Sequence, residues 1–162
     1  MTRKSLLIFF LTAGLVILLD QLTKCYVVSS FQLYESVPVI SGFFNLTYIR
    51  NPGAAFGFLS NASPFFRGAF FSLVTLVAAG LILYYLLHNK IEDLWLLIPL
   101  AFILAGALGN LADRYRFGEV IDFLDVYIGP YHWPAFNVAD SAISIGALFL
   151  IVDMLKRRNE EL

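Results

Sequence analysis

The chain has 162 residues, of which 59% are hydrophobic and only 14% charged, with a net charge of −1. Soluble domains are roughly one-half apolar and one-quarter charged, so this composition excludes an ordinary water-soluble domain, a disordered chain, a collagen and a coiled coil. The near-zero charge offers no basic footprint for nucleic acid, and a single cysteine, Cys25, excludes a disulfide framework or a cysteine-built metal site.

A membrane-crossing helix needs about 20 apolar residues, and four stretches supply them. The first, residues 5–28, is uncharged until Asp20, Gln21 and Lys24. Thr2-Arg3-Lys4 resembles the charged start of a cleaved signal peptide. However, Asp20, Gln21 and Lys24 occupy the place of a small-residue cleavage site, and Val28-Ser29-Ser30 is a weak substitute, so a retained helix is expected. Residues 29–67 then form an extramembrane segment. Within it, residues 43–50 are rich in β-branched and aromatic side chains and predict a strand, broken by the turn Asn51-Pro52-Gly53. The second and third helices, residues 68–87 and 94–112, are uncharged. A second extramembrane segment, residues 113–135, holds the strand-like run 120–127, followed by Gly129-Pro130. The fourth helix, residues 136–155, carries Asp140 near one end and Asp153 near the other. The expected fold class is an all-α membrane protein: one domain over residues 1–162, with four transmembrane helices and a small β element on the outer face. The aromatic residues of that element would lie at the lipid interface.

Four spans place both termini on one side. Arg3, Lys4, Lys90 and the cluster Lys156-Arg157-Arg158 fall together there, which predicts that side to be cytoplasmic. Lys24, Arg50, Arg67, Arg114 and Arg116 fall at the other face, so the tight C-terminal cluster carries the assignment. On this topology Asp20 and Lys24, then Asn110, Asp113 and Arg114, then Asn137 and Asp140, occupy the outer ends of three helices, with Asp122 in the loop between two of them. Spacings of three and four group Asp20 with Thr23 and Lys24. They likewise group Gly106 with Asn110, Asp113 and Arg114, and Asn137 with Asp140, Ser141 and Ser144. Such polar stripes should face the bundle interior, because a charge facing lipid costs about 2.5–3.5 kcal/mol or more. Ala105, Gly109 and Ala112 would let the third helix pack closely on a neighbour.

Each charge also has a structural reading. Asp20 and Lys24 suit a local i,i+4 pair, Asp113 and Arg114 an ion-pair network, and Asp153 a partner for Lys156 or Arg157. Asp140 stands apart, because a long uncharged run follows it and places it at or within the membrane boundary, where an ionisable group is a functional candidate. No G-x-S-x-G, H-E-x-x-H or Gly-rich phosphate loop is present. His88 and His132 fall on opposite sides, and Cys25 reads as a small buried hydrophobe. By elimination the reactive material is carboxylate. Two carboxyls sharing a site hold one proton between them, so one activates water while the other donates to the carbonyl under attack. Periodicity leaves the pair open. Asp122 and Asp125 lie on opposite faces of a strand, and Asp140 could pair with either, with Asp113 or with Asp20.

The motifs, taken together, resemble those of the lipoprotein signal peptidases (signal peptidase II). Asp20-Gln21-Leu22-Thr23-Lys24 is similar to their first-helix motif, and Asn51-Pro52-Gly53-Ala54-Ala55-Phe56 to N-x-G-A-A-F. The run from Gly106 to Arg114 resembles G-x-x-G-N-x-x-D-R, Val120-Ile121-Asp122-Phe123 resembles V-x-D-F, and Phe136-Asn137-Val138-Ala139-Asp140 resembles F-N-x-A-D. All five occur in family order. The resemblance implies a metal-independent aspartic endopeptidase of the bacterial inner membrane. It would need no cofactor and would cut prolipoproteins before a cysteine that already carries diacylglycerol. The resemblance also implies Asp122 and Asp140 as the catalytic dyad, with supporting roles for Asn51, Asn110, Arg114 and Asn137 and a structural or supporting role for Asp20. Membrane phospholipid and a globomycin-type inhibitor are implied as further partners. Two other classes remain for comparison. A carboxylate-using transporter would place charge near mid-membrane, usually with related repeats. A non-catalytic scaffold would not need aspartates at matched depth.

Overall fold

The computed structural model describes residues 2–54, 57–89 and 91–160. Ala55 and Phe56 of the N-x-G-A-A-F run, and Lys90 of the basic set, lie outside the described residues. In chain order the elements are α1 (Arg3–Ser30), β1 (Ser36–Ile40), β2 (Phe44–Asn51), α2 (Pro64–His88), α3 (Leu94–Phe117), β3 (Val120–Ile128), β4 (Tyr131–His132) and α4 (Val138–Glu160). All four helices are long and apolar enough to cross a membrane.

Capping chemistry, rather than hydropathy, sets the helix ends. The Ser63 hydroxyl accepts from Phe66 N–H at 3.3 Å and Pro64 occupies the first turn, so α2 begins at Pro64, not at residue 68. The third helix runs through Asp113 and Arg114 to Phe117, five residues beyond the expected 112. It ends where Gly118 takes a left-handed conformation (φ +78°) and donates its N–H to Arg114 O at 2.9 Å. The fourth helix starts at Val138 instead of 136, because Phe136 bridges to Leu124 of β3 and Asn137 is the cap.

The centre of the bundle is α3, the most buried of the four helices. Leu97, Leu100, Ala101, Leu104 and Ala105 pack with Phe9, Ala13 and Val16 of α1, Ile82 and Leu86 of α2, and Ala142 of α4. Close approaches depend on absent side chains. A Cβ at Gly106 would collide with Ala139 O, one at Gly109 would lie 2.6 Å from Asp20 Oδ2, and one at Gly146 would lie 2.7 Å from Pro99 O. Ala105 and Gly109 therefore pack as expected, whereas Ala112 is only half-buried.

At one end of the bundle sits a four-stranded antiparallel sheet of order β1-β2-β3-β4. The expected strands 43–50 and 120–127 are its central pair, β2 and β3. The flanking β1 and β4 are short edge strands without a strong sequence pattern. Pro38 is tolerated in β1 because that strand is at an edge and fully exposed. Between Leu46 and Ile49 the β2–β3 register gains one residue on β2. Val27 of α1 packs with Tyr48, Ile121 and Phe123, joining the sheet to the bundle.

Cys25 departs from expectation: it is exposed on the outside of the bundle. The buried line of α1 is Asp20, Lys24 and Val27, and the residue after Lys24 is turned about 100° away from it.

Candidate active site

The site forms where β3, the end of β2, the C-terminal half of α3 and the first turn of α4 meet. Asp122 projects from β3 and Asp140 from the third position of α4. Each of their four carboxylate oxygens accepts a hydrogen bond. Asn137 Nδ2 donates to Asp122 Oδ1 at 2.8 Å, and Asn51 Nδ2 donates to Asp122 Oδ2 at 2.9 Å. Asn110 Nδ2 donates to Asp140 Oδ1 at 2.7 Å, and the Asn137 backbone N–H donates to Asp140 Oδ2 at 3.2 Å.

The three amides are oriented by what their oxygens accept. Asn51 Oδ1 takes the Gly53 N–H at 3.0 Å, an Asx turn of the Asn51-Pro52-Gly53 break. Asn137 Oδ1 takes the Asp140 N–H at 2.9 Å, and Asn110 Oδ1 takes Lys24 Nζ at 3.0 Å. Each Nδ2 is therefore left pointing at a carboxylate. Asparagine suits these places because it is neutral and offers a donor and an acceptor at once.

Asp122 is 2% exposed. Its pKa is raised to about 7, first by burial and then by the neighbouring Asp140 charge. The donors Asn51 and Asn137, and the Lys24 charge, act in the opposite sense.

Lys24 lies behind this pair, only 2% exposed. It bridges Asp20 Oδ2 at 2.9 Å and Asp113 Oδ2 at 2.8 Å, and with Asn110 Oδ1 all three ammonium hydrogens have partners. Asp20 Oδ1 accepts from Ala139 N–H at 2.9 Å, and Asp113 Oδ2 from Ile121 N–H at 3.2 Å. Gln21 Nε2 donates to both aspartates, to Asp20 at 3.0 Å and to Asp113 at 3.1 Å. The four carboxylates that the sequence gathers thus divide in two. Asp122 and Asp140 face open space, while Asp20 and Asp113 are bound to Lys24 and tie α1, α3, β3 and α4 together.

Arg114 is not paired with an aspartate among the described residues. Its Nη2 donates to Gly53 O at 2.7 Å, and its guanidinium lies 3.9 Å from the centre of the Phe71 ring. Asp125 faces away from Asp122. It accepts from Asn45 Nδ2 at 2.9 Å and contacts His132 Nδ1 at 2.7 Å, with His132 stacked on Tyr127. Asp153 is structural, in a chain with Arg157 and Asp93 at the far end of α4.

A groove of about 650 Å³ opens beside the two aspartates. Asn51, Asn110, Arg114, Asp122 and Asp140 line its polar part. Phe71 and Val74 of α2, Ala107 of α3, Ile143 of α4 and Trp133–Phe136 contribute to the rest, with the hydroxyls of Thr75, Ser141 and Ser144 among them. Sequence motifs do not indicate the contribution of α2. Of the two hydroxyls within its apolar run, Ser72 and Thr75, it is Thr75 that lines the groove. Among the described residues no three His, Cys, Asp or Glu side chains are arranged to hold a metal. The buried ionisable groups gather toward the sheet end of the bundle, which does not match a carrier with charge at mid-span.

The family model described as signal peptidase (SPase) II matches residues 12–156. A lipoprotein signal peptidase of Syntrophus aciditrophicus is 69% identical over 159 residues, covering 98% of this chain and 99% of its own. One of Geobacter sulfurreducens is 50% identical over 145 residues, covering 90% and 89%. Two solved bacterial membrane enzymes share the fold. The first, determined by the in meso method at 2.3 Å resolution, has a TM-score of 0.86 at 34% identity over 95% of this chain and 91% of that one. The second, at 1.9 Å, has a TM-score of 0.81 at 35% identity over 91% and 92%. With family order, full-length identity and fold in agreement, the chain belongs to the signal peptidase II family.

Proposed function

We propose that this chain removes the signal peptide from prolipoproteins by aspartic chemistry, with Asp122 and Asp140 as the acid–base pair. The observation that carries the reading is Asn137, which donates to both carboxylates, one through its side chain and one through its backbone, at the head of an open groove. Two carboxyls held this way share one proton near neutral pH, and the proton belongs to the pair. The ionised carboxylate takes a proton from a water, which attacks the scissile carbonyl carbon. The protonated partner donates to the carbonyl oxygen, giving a tetrahedral diol. When the C–N bond breaks, the amine of the cysteine residue leaves with the proton taken from water, a diol hydroxyl returns its proton to the other carboxylate as the new carboxyl group forms, and the two carboxyls regain their starting state. Carboxyls and water suffice, so the reaction is metal-independent and needs no cofactor.

The groove supports the substrate class that the resemblance implies. Its polar head holds the peptide bond, while its apolar walls accept the acyl chains of a diacylglyceryl cysteine and exclude water around them. Asn51, Asn110 and Asn137 hold the dyad, Arg114 and Gly53 border the bound peptide, and Asp20 supports α4 from behind. The single domain spans the inner membrane with both termini cytoplasmic and the sheet on the outer face. The basic cluster at residues 156–158, at the end away from the sheet, supports that orientation. Surrounding phospholipid flanks the groove, and a globomycin-type inhibitor competes for it.

The test is cleavage of a purified diacylglyceryl precursor. Asp122→Asn and Asp140→Asn each lower turnover by at least about 10³-fold, while the protein stays folded and membrane-inserted. Normal cleavage by either variant overturns the dyad.

A further inference from the structure

Hydroxyl groups on membrane helices ordinarily return to a carbonyl of their own helix. Thr23 does so, bonding Leu19 O at 2.7 Å, as does Ser141, bonding Asn137 O at 2.8 Å. Others, among them Thr12, Ser72, Thr75 and Ser144, have no hydrogen-bond partner among the described residues, and of these four only Thr75 and Ser144 reach the groove. Both line the groove, Thr75 from α2 and Ser144 from α4. Thr75 is only 8% exposed and sits midway along an apolar helix, where an unpaired hydroxyl is unfavourable. Ser144 is four residues beyond Asp140 on the same helix, which places it about 6 Å deeper along the axis.

We propose that Thr75 and Ser144 form a subsite for the glyceryl esters of the substrate, their hydroxyls donating to ester carbonyl oxygens. This rests on the peptidase reading and extends it to the lipid. The scissile bond is at Asp122 and Asp140. The cysteine side chain and thioether sulfur lead away from it, and the ester groups follow within a few bonds. Those esters are the only strong acceptors between the peptide and the hydrocarbon tails. The groove presents two free hydroxyl donors, Thr75 from α2 and Ser144 from α4, the latter about one turn along the helix from Asp140. An ester carbonyl satisfies such a donor. An ether oxygen in the same position is a poor acceptor and leaves the hydroxyl unpaired, so the subsite distinguishes acyl from alkyl lipid.

The experiment compares two precursors that differ only in the lipid on cysteine: diacylglyceryl, with ester links, and dialkylglyceryl, with ether links. Wild type is expected to show about tenfold higher kcat/KM for the ester form. In the double variant Thr75→Val/Ser144→Ala the ratio of ester to ether rate falls to about one, and an unfolding temperature equal to that of wild type reports that the variant is folded. Thr75→Ser, which keeps the hydroxyl, retains the preference. Equal rates on the two precursors in wild type, or a preference that survives in the double variant, overturn the subsite and leave the peptidase reading standing. If wild type cleaves neither precursor, the peptidase reading fails and the subsite with it.

Discussion

Asn137 and Asp140 cap one another across the first turn of α4. The Asn137 side-chain oxygen accepts the Asp140 N–H at 2.9 Å, and the Asp140 carboxylate accepts the Asn137 N–H at 3.2 Å. This is a capping box with aspartate in the place usually held by glutamate. The same two residues that start the helix therefore position the proposed chemistry, and the Asn137 amide has one group left over to reach Asp122.

Stability and activity separate at Asn137. In Asn137→Ser the cap oxygen remains, but the donor to Asp122 is lost. In Asn137→Ala both are lost. Alanine is expected to cost about 1–2 kcal/mol in the cap alone, measured by thermal unfolding in detergent, with serine recovering much of it. Both variants should lose cleavage about equally, by ~10²-fold or more. A serine variant with near-normal turnover would show that the amide donor is dispensable.

Activity should decline on the alkaline side with an apparent pKa near 7, where the pair loses its shared proton. The shift has a sign for stability too. A folded pKa of about 7, above the ordinary carboxylate value of about 3.9, means that the folded state binds this proton more tightly. The contribution of Asp122 to stability is then greatest below pH ~4 and falls as pH rises to about 7. Replacing Asp140 by Asn removes the neighbouring charge and moves the Asp122 titration down, readable from its infrared carboxyl stretch. No movement in that variant would remove Asp140 as a cause.

Lys24→Met leaves Asp20 and Asp113 buried without their cation. A loss of about 3–5 kcal/mol is expected, seen as a lower unfolding temperature. Combining it with Asp20→Asn and Asp113→Asn should restore part of that stability, since no unpaired charge then remains inside. If the single variant is as stable as wild type, the triad is not a structural tie.

Gly109→Ala puts a methyl group 2.6 Å from Asp20 Oδ2. It should push the carboxylate from the Ala139 N–H and cost about 1–3 kcal/mol, together with much of the activity. Gly80→Ala, which meets nothing within 4 Å, should leave unfolding temperature and turnover unchanged. The pair tests whether close packing at α3, rather than glycine content, is what matters.

Much of this was legible in the sequence because a membrane chain has few charges to place. Hydropathy located four helices, and β-branched runs located β2 and β3. The first-helix motif, read as a local Asp20–Lys24 pair, proved to be half of a triad closed by Asp113, 89 residues from Lys24 by the numbering. That closure needs the tertiary fold. Helix limits were misjudged where charged residues continue a helix, as at Asp113 and Arg114, although Ser63-Pro64 and Gly118 marked the true ends. Cys25 was misplaced because one residue of rotation separates it from the buried line of α1. The contribution of α2 to the groove was not legible, since an apolar wall has no motif.

The added residue between Leu46 and Ile49 has a consequence for parity. Side chains along a strand alternate between faces, so an insertion of one reverses every assignment that follows it. Thr47 and Tyr48 are both buried, as expected where two residues share one place in the alternation. Beyond them, Ile49 pairs with Asp122, Arg50 with Ile121 and Asn51 with Val120, so Asn51 shares a face with Asp122. Without the bulge, the face that now offers a neutral amide to Asp122 would carry the guanidinium of Arg50. An ion pair there would hold Asp122 ionised and remove the proton that the proposed pair would share. A single supernumerary residue in β2 thus decides whether the carboxyl on the facing strand can act as an acid.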